Sequence, residues 1–72
     1  MMKFDRIVRT SNDAVAFVVR IDKEARVAYL DRWDAKSQMG PTMIEERCYD
    51  DAAEGHVVLR ELRDEAKRLS RS

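Results

Sequence analysis

The chain has 72 residues and carries 14 basic and 14 acidic side chains, so its formal net charge is zero at pH 7. A chain of this length forms a single domain and buries only about 60 % of the surface that its unfolded form exposes. Its one cysteine, Cys48, excludes an intramolecular disulfide and a cysteine-rich zinc site. Because 44 % of the residues are hydrophobic, the composition predicts a folded core and not a disordered chain.

The sequence predicts a cytoplasmic protein without a membrane partner. No apolar run approaches the roughly 20 residues that a membrane helix requires. The N-terminal residues MMKFDRIVRT carry charged side chains where a signal peptide has its apolar stretch. A lone cysteine also fits a reducing compartment.

The first half of the chain has the period-two alternation of β-strands. Residues 4–10 form a first strand, and a turn cluster of Ser11, Asn12 and Asp13 follows it. Residues 14–22 form the second strand, and residues 26–33 form the third. Short polar loops between such strands predict an antiparallel meander.

The second and third strands have distinct faces. In the second, one face carries Val15, Phe17, Val19 and Ile21, and the other carries Ala14, Ala16, Val18 and Arg20. In the third, one face carries Val27, Tyr29 and Trp33, and the other carries Ala28 and Leu30. Since the second strand is apolar on much of both faces, we expect it in the interior of the sheet.

Residues 42–49 follow a loop that ends at Gly40 and Pro41. They form either an edge strand or an early helical turn, and we favour the strand. The charged run Glu45, Glu46 and Arg47 suits an edge, where pairing with another chain is discouraged.

Residues 51–69 have the clearest helical period in the chain. Asp50 or Asp51 can cap the first turn, and Asp51 and Glu54 have the spacing of a capping box. The apolar stripe comprises Ala52, Gly55, Val58, Leu59, Leu62, Ala66 and Leu69. The predicted fold is therefore α+β: an antiparallel meander sheet of three or four strands with one C-terminal helix packed on one face.

The residue types of an active site are scarce, so we expect no enzyme. Cys48 and His56 are the only residues of their types, and no oxyanion hole or orienting group accompanies them. His56 with Asp50, Asp51 and Glu54 does not supply the ligands of a structural zinc site. We therefore expect no catalytic residue, metal or cofactor.

The densest acidic patch of the chain is the leading candidate for a partner-binding surface. Residues 34–56 contain six acidic and two basic side chains. The candidate residues are Glu45, Glu46, Asp50, Asp51 and Glu54, together with Trp33 as an apolar anchor. Such carboxylates can imitate nucleic-acid phosphates and attract a basic groove on another protein. The alternative is ordinary surface charge with helix capping.

A second interpretation is a nucleic-acid-binding or regulatory module that uses the sheet. Its phosphate-binding residues would be Arg6, Arg9, Arg20, Arg26 and Arg32, with Phe4, Tyr29 and Trp33 to stack on bases. Acidic neighbours accompany each arginine, and we expect the aromatic side chains to serve the core. No RNP-like, helix-turn-helix or glycine-rich phosphate motif is present.

Residues 42–58 resemble a segment of small uncharacterised phage and prophage proteins. The resemblance is carried by Thr42 and Met43, and then by RCYDDAAEGH from Arg47 to His56. It implies a phage or prophage origin and no defined activity. It also implies that Gly55 allows a strand to approach the helix and that His56 bonds a backbone carbonyl.

The function ranked first is a small non-enzymatic protein-binding module. Its specific form is a phage-encoded inhibitor or modulator of a host protein, either in defence or in nucleic-acid handling, acting in the host cytoplasm. A homodimer through an uncovered sheet edge or the region of Trp33 is compatible with each interpretation.

Overall fold

The computed structural model describes residues 2–71. The elements along the chain are β1 (Met2–Arg9), β2 (Val15–Asp22), β3 (Val27–Asp34), β4 (Thr42–Cys48) and α1 (Ala52–Ser70). The strands form one antiparallel sheet in the order β1-β2-β3-β4. The predicted α+β fold is confirmed, with four strands, and residues 42–48 form an edge strand.

Side chains fix the tight connection between β2 and β3. Oδ1 of Asp22 accepts hydrogen bonds from the backbone N–H groups of Glu24 and Ala25, each at 3.1 Å. Arg26 then adopts a left-handed conformation with φ of 56°. An Asx-type turn of this kind replaces the backbone partners that the strands no longer supply. The result is an uninterrupted register in which Asp22 lies opposite Val27 and Val15 lies opposite Asp34.

The hydrophobic core lies between α1 and one face of the sheet. Val19, Leu30 and Leu62 are its largest fully buried side chains. The buried cluster comprises Phe17, Val19, Ile21, Ala28, Leu30, Val58, Leu59, Leu62 and Ala66. Each fully buried Val, Leu, Ile or Phe contributes about 1.5–3 kcal/mol relative to an exposed position. The odd-numbered face of β2 is thus the face that the helix covers.

The start of α1 is capped by two reciprocal hydrogen bonds. Oδ1 of Asp51 accepts from the Glu54 backbone N–H at 2.9 Å, and Oε2 of Glu54 accepts from the Asp50 backbone N–H at 3.2 Å. Most of the predicted apolar stripe is buried, but Ala52 is exposed at the first helical position. Charged side chains fill the outer face of α1, and within residues 2–71 no helix is long and apolar enough to cross a membrane.

Candidate functional site on the uncovered face of the sheet

The face of the sheet opposite α1 is not covered by any element within residues 2–71. The cross-strand register assigns its residues, because side chains alternate between faces along each strand. We call this surface the open face, and it comprises Met2, Phe4, Ile7, Arg9, Ala16, Val18, Arg20, Asp22, Val27, Tyr29, Asp31, Trp33, Met43, Glu46 and Cys48.

Large apolar side chains of the open face are exposed. Phe4 is 66 % exposed and Trp33 is 41 % exposed, and Ile7 and Met43 are about half exposed. They come from β1, β3 and β4, and they therefore lie on both sides of the interior strand β2. Exposed apolar side chains grouped on one surface are typical of contact sites, whereas single ones are ordinary.

A groove of ≈ 380 Å³ runs along β2 on this face. Small residues, Ala14 and Ala16, lie at its floor, and the side chains of Ile7 and Trp33 rise on the two neighbouring strands. Because alanine leaves space between larger neighbours, the groove can accept an apolar side chain from another molecule.

A buried ion pair lies at the centre of the open face. Asp31 is only 3 % exposed, and Nη2 of Arg20 donates a hydrogen bond to its Oδ1 at 3.2 Å. Nε of Arg20 contacts Oδ2 as an ion pair without the alignment of a hydrogen bond. The Arg20 guanidinium also lies 4.5 Å from the centroid of the Tyr29 ring. Asp31 thus has a charged partner, and Arg20 is held flat on the sheet.

Two opposite charges at the margins of this face are free. Within residues 2–71, the side chains of Arg9 and Glu46 form no hydrogen bond or ion pair. Arg9 lies on β1 in the row of Ala16 and Trp33, whereas Glu46 lies on β4 in the row of Arg20 and Tyr29. Since β1 and β4 are the two edges of the sheet, Arg9 and Glu46 lie toward diagonally opposite corners.

The predicted acidic patch is divided between three places. Glu45 points toward α1, where Nη1 of Arg47 donates to it at 3.3 Å and Nη2 of Arg47 donates to Glu61 at 2.8 Å. Hydrogen bonds from Arg47 to Glu61 and Glu45 raise the pKa of Arg47. Glu46 lies on the open face opposite Tyr29.

Asp50, Asp51 and Glu54 lie together at the start of α1. Asp51 and Glu54 take part in capping, and the backbone carbonyl of Asp50 accepts from Nη1 of Arg26 at 3.0 Å. Trp33 lies near the far end of β3, whereas Val27, at the near end, pairs with Cys48 beside this helix start. Trp33 is therefore at the opposite end of β3 from Asp50, Asp51 and Glu54, and these residues do not form one surface with it.

A cleft of ≈ 660 Å³ lies beside the start of α1, between the helix and the β2–β3 turn. Its charged groups include Asp5 and Arg63, which pair with each other, and Arg26, which bonds Asp50. The cleft is larger than the groove of the open face, but most of its charged side chains, Asp5, Arg63, Arg26 and Asp51, already have partners. We therefore place the candidate site on the open face, where the exposed groups are apolar.

Cys48 and His56 lie on opposite sides of the sheet. Cys48 is opposite Val27, on the side of the open face, whereas His56 is an exposed residue of α1. Within residues 2–71, the His56 imidazole makes no hydrogen bond to a backbone carbonyl. No group of three or more potential metal ligands occurs in the same described part of the chain.

Gly55 packs against a side chain and not against a strand. A Cβ atom at this position would lie 2.9 Å from Cε2 of Tyr49. Since Tyr49 follows directly after β4, its ring fills the space beside the helix that the resemblance assigned to a strand. The role of Gly55 in close packing stands, with an aromatic ring as its neighbour.

The expectation that the aromatic side chains serve the core was wrong for Phe4 and Trp33. The helix covers only one face of the sheet, and aliphatic side chains fill most of that layer.

The sequence patterns did not identify Asp31 as a central residue of the other face. Its signal in the sequence is a carboxylate between Tyr29 and Trp33 in an otherwise apolar alternate series.

No protein-family model, curated protein or solved structure matches this chain. The resemblance of residues 42–58 to phage and prophage proteins accordingly stays a prediction.

Proposed function

We propose that this protein is a non-enzymatic protein-binding module and that the open face is its binding surface. The observation that carries the proposal is the group of exposed Phe4, Ile7, Trp33 and Met43 around β2. Burial of apolar surface contributes about 25 cal/mol per Å² of area removed from water. A partner that covers this face removes these apolar side chains from water, and this burial favours binding.

The centre of the open face can be covered by a partner without leaving an isolated charge out of water. Asp31 is already removed from water and paired with Arg20. A partner that covers this region meets a neutral ion pair and does not have to desolvate an isolated charge. Trp33 and Arg20 also belong to the residue types that most often dominate binding energy at protein interfaces.

The finer form of the proposal is a phage-encoded modulator of a host protein. It is supported by the resemblance of residues 42–58, and its acidic surface would be Asp50, Asp51 and Glu54 at the start of α1 with Glu45 and Glu46 on β4. Only Glu46 among these lies on the open face. The other four would act, if they contact the partner, at the margin of the interface, where charges affect association rates more than affinity.

Nucleic-acid binding is the second candidate, because Phe4, Tyr29 and Trp33 share a face with arginine. Of the five arginines of that interpretation, only Arg9 and Arg20 are on the open face, and Arg20 is paired with Asp31. Arg6 and Arg32 lie opposite Val19 and Phe17, on the face of α1. With so few free cations beside the aromatic rings, the geometry favours a protein partner.

Affinity capture from a host lysate tests the protein-binding proposal. The immobilised chain is compared with an Ile7→Gln/Trp33→Gln variant and with Val57→Gln, whose α1 side chain is 42 % exposed and matches Trp33 in exposure. We expect a captured protein to be retained by the wild type and by Val57→Gln and lost by the double variant. Circular dichroism establishes that all three chains are folded.

Two outcomes would overturn the proposal. One is that the wild-type chain captures no more protein than a blank support. The other is that the folded Ile7→Gln/Trp33→Gln variant captures the same proteins as the wild type. Retention of single-stranded oligonucleotide that weakens steeply with salt would favour the nucleic-acid candidate instead.

A further inference from the structure

The open face has the properties of a surface that can bind a second copy of itself. It carries a free cation, Arg9, and a free anion, Glu46, toward diagonally opposite corners. It also has both a groove floored by alanines and projecting apolar side chains. A symmetric dimer requires a self-complementary surface of this kind, because each contact between the two copies occurs twice.

We propose that the open face joins two copies of this chain in a two-fold symmetric dimer, with Arg9 of each copy against Glu46 of the other. This inference rests on the proposed function, because both use the open face. The chain has zero formal net charge, so the approach of two copies meets no overall electrostatic repulsion.

The size of the face fits such a dimer. The molecule measures 36 × 23 × 15 Å, so its broad side spans 36 by 23 Å. When two such faces cross at a large angle, their overlap is about 23 by 23 Å, which is roughly 500 Å² on each copy and about 1,000 Å² in total, the lower limit for a specific protein interface. The 15 Å dimension corresponds to one sheet and one helix, and the open face is one of the two broad sides.

The positions of the charges select the symmetry. When two faces meet, the two-fold axis lies in the plane between them. An axis perpendicular to the line from Arg9 to Glu46 exchanges these two positions, and so places each Arg9 over the partner's Glu46. The strands of the two sheets then cross at a large angle, which is one of the two common arrangements of packed sheets.

The same axis also pairs apolar side chains. It brings Trp33, near the Arg9 end of β3, toward the partner's Met43 on the edge strand β4. Both side chains are about half exposed in the single chain. The contact removes apolar surface from water on both copies, while the Arg9–Glu46 pairs fix the orientation.

Sedimentation equilibrium over low micromolar to millimolar concentrations tests the dimer by charge reversal. Arg9→Glu alone and Glu46→Arg alone each place like charges together at two points, so we expect each to weaken dimerisation roughly tenfold. The Arg9→Glu/Glu46→Arg double variant restores opposite charges and should return the dissociation constant to near the wild-type value. Arg60→Glu, on the outer face of α1, is the matched control and should have no effect.

Ile7→Gln provides a reading that does not depend on charge, and we expect it to weaken the dimer as well. Thermal unfolding confirms that each variant is folded.

The inference is overturned if the wild type is monomeric throughout, if the single reversals leave the dissociation constant unchanged, or if the double reversal fails to restore it. A monomer that still captures another protein through Ile7 and Trp33 overturns the dimer alone. A dimer that captures no other protein overturns only the binding of a different protein.

Discussion

Arg20 lies against the buried carboxylate of Asp31 on the face of the sheet that α1 does not cover. The two residues are on neighbouring strands, and Arg20 lies directly opposite Tyr29 in the register. The side chain of Asp31 is 4 % exposed and that of Arg20 is 25 % exposed. This asymmetry means that the carboxylate depends on the guanidinium more than the guanidinium depends on the carboxylate.

Replacement of the two members of this pair should therefore have unequal effects. Arg20→Leu leaves Asp31 buried without a partner and should reduce the free energy of unfolding by about 3–5 kcal/mol. Asp31→Leu leaves an arginine that can turn toward water and should reduce it by about 1–2 kcal/mol. The double replacement should be more stable than Arg20→Leu, because no uncompensated charge remains.

Urea unfolding of the three variants measures these differences. Additive losses in the double variant would contradict the coupling of Arg20 and Asp31. Thermal midpoints can replace free energies for any variant that is partly unfolded without urea.

The ion pair of Asp5 and Arg63 connects edge strand β1 to α1 and should make stability depend on pH. Nε of Arg63 donates to Oδ2 of Asp5 at 2.6 Å, and Nη2 donates to Oδ1 at 2.7 Å. A shift of register between Phe4 and Arg6 places Asp5 in position for this contact. Hydrogen bonds from Arg63 lower the pKa of Asp5 below its ordinary value of 3.8.

Arg63→Gln should therefore reduce the free energy of unfolding by about 1–2 kcal/mol at neutral pH. Because the folded-state pKa of Asp5 is lowered, the contribution of the pair is complete above the unfolded-state pKa. It is lost as pH falls through the folded-state pKa. Denaturant unfolding from pH 7 into the acid range should show the wild type and the variant converging. A difference that stays constant below the ordinary pKa of Asp5 would argue against the pair as its source.

Gly55→Ala should destabilise the protein, although alanine favours helices. The substitution gains about 1 kcal/mol of helix propensity, but a Cβ atom would lie 2.9 Å from the Tyr49 ring. Such overpacking typically costs about 1–3 kcal/mol, so we expect a net loss of about 1 kcal/mol.

The Tyr49→Ala background isolates the cause. Once the ring is removed, Gly55→Ala should stabilise the protein by up to about 1 kcal/mol, because only the propensity gain remains. Thermal unfolding of the four chains of this cycle measures both effects. The same loss in both backgrounds would place the strain somewhere other than the Tyr49 ring.

Helix capping and surface charge make different predictions for the two aspartates before α1. Asp51→Ala should lower the free energy of unfolding by about 1 kcal/mol, because its carboxylate accepts from the Glu54 backbone N–H. Asp50→Ala should have a smaller effect, since the bonds recorded at Asp50 use its backbone N–H and carbonyl. Equal effects of the two substitutions in denaturant unfolding would show that the general negative charge, and not the cap, stabilises this end of α1.

Local sequence patterns predict the type and order of the elements, with residues 42–49 open between a strand and a helical turn. Alternation along Val15 to Ile21 predicts a strand, and three- and four-residue spacing from Gly55 to Leu69 predicts a helix. Spacing also predicts a cap at Asp50 or Asp51, because the capping carboxylate and the backbone N–H that donates to it lie within one turn. These features depend on residues that are close together in the chain, so local periodicity is sufficient to identify them.

The exposure of each surface depends on how the elements pack together. β2 is apolar on both faces, and its pattern alone does not show which face α1 covers. The exposure of Phe4 and Trp33, the burial of Asp31 and the separation of Trp33 from the acidic group all depend on cross-strand register. Register follows from how four strands and one helix pack together, because a single helix can cover only one face of the sheet and leaves the other open.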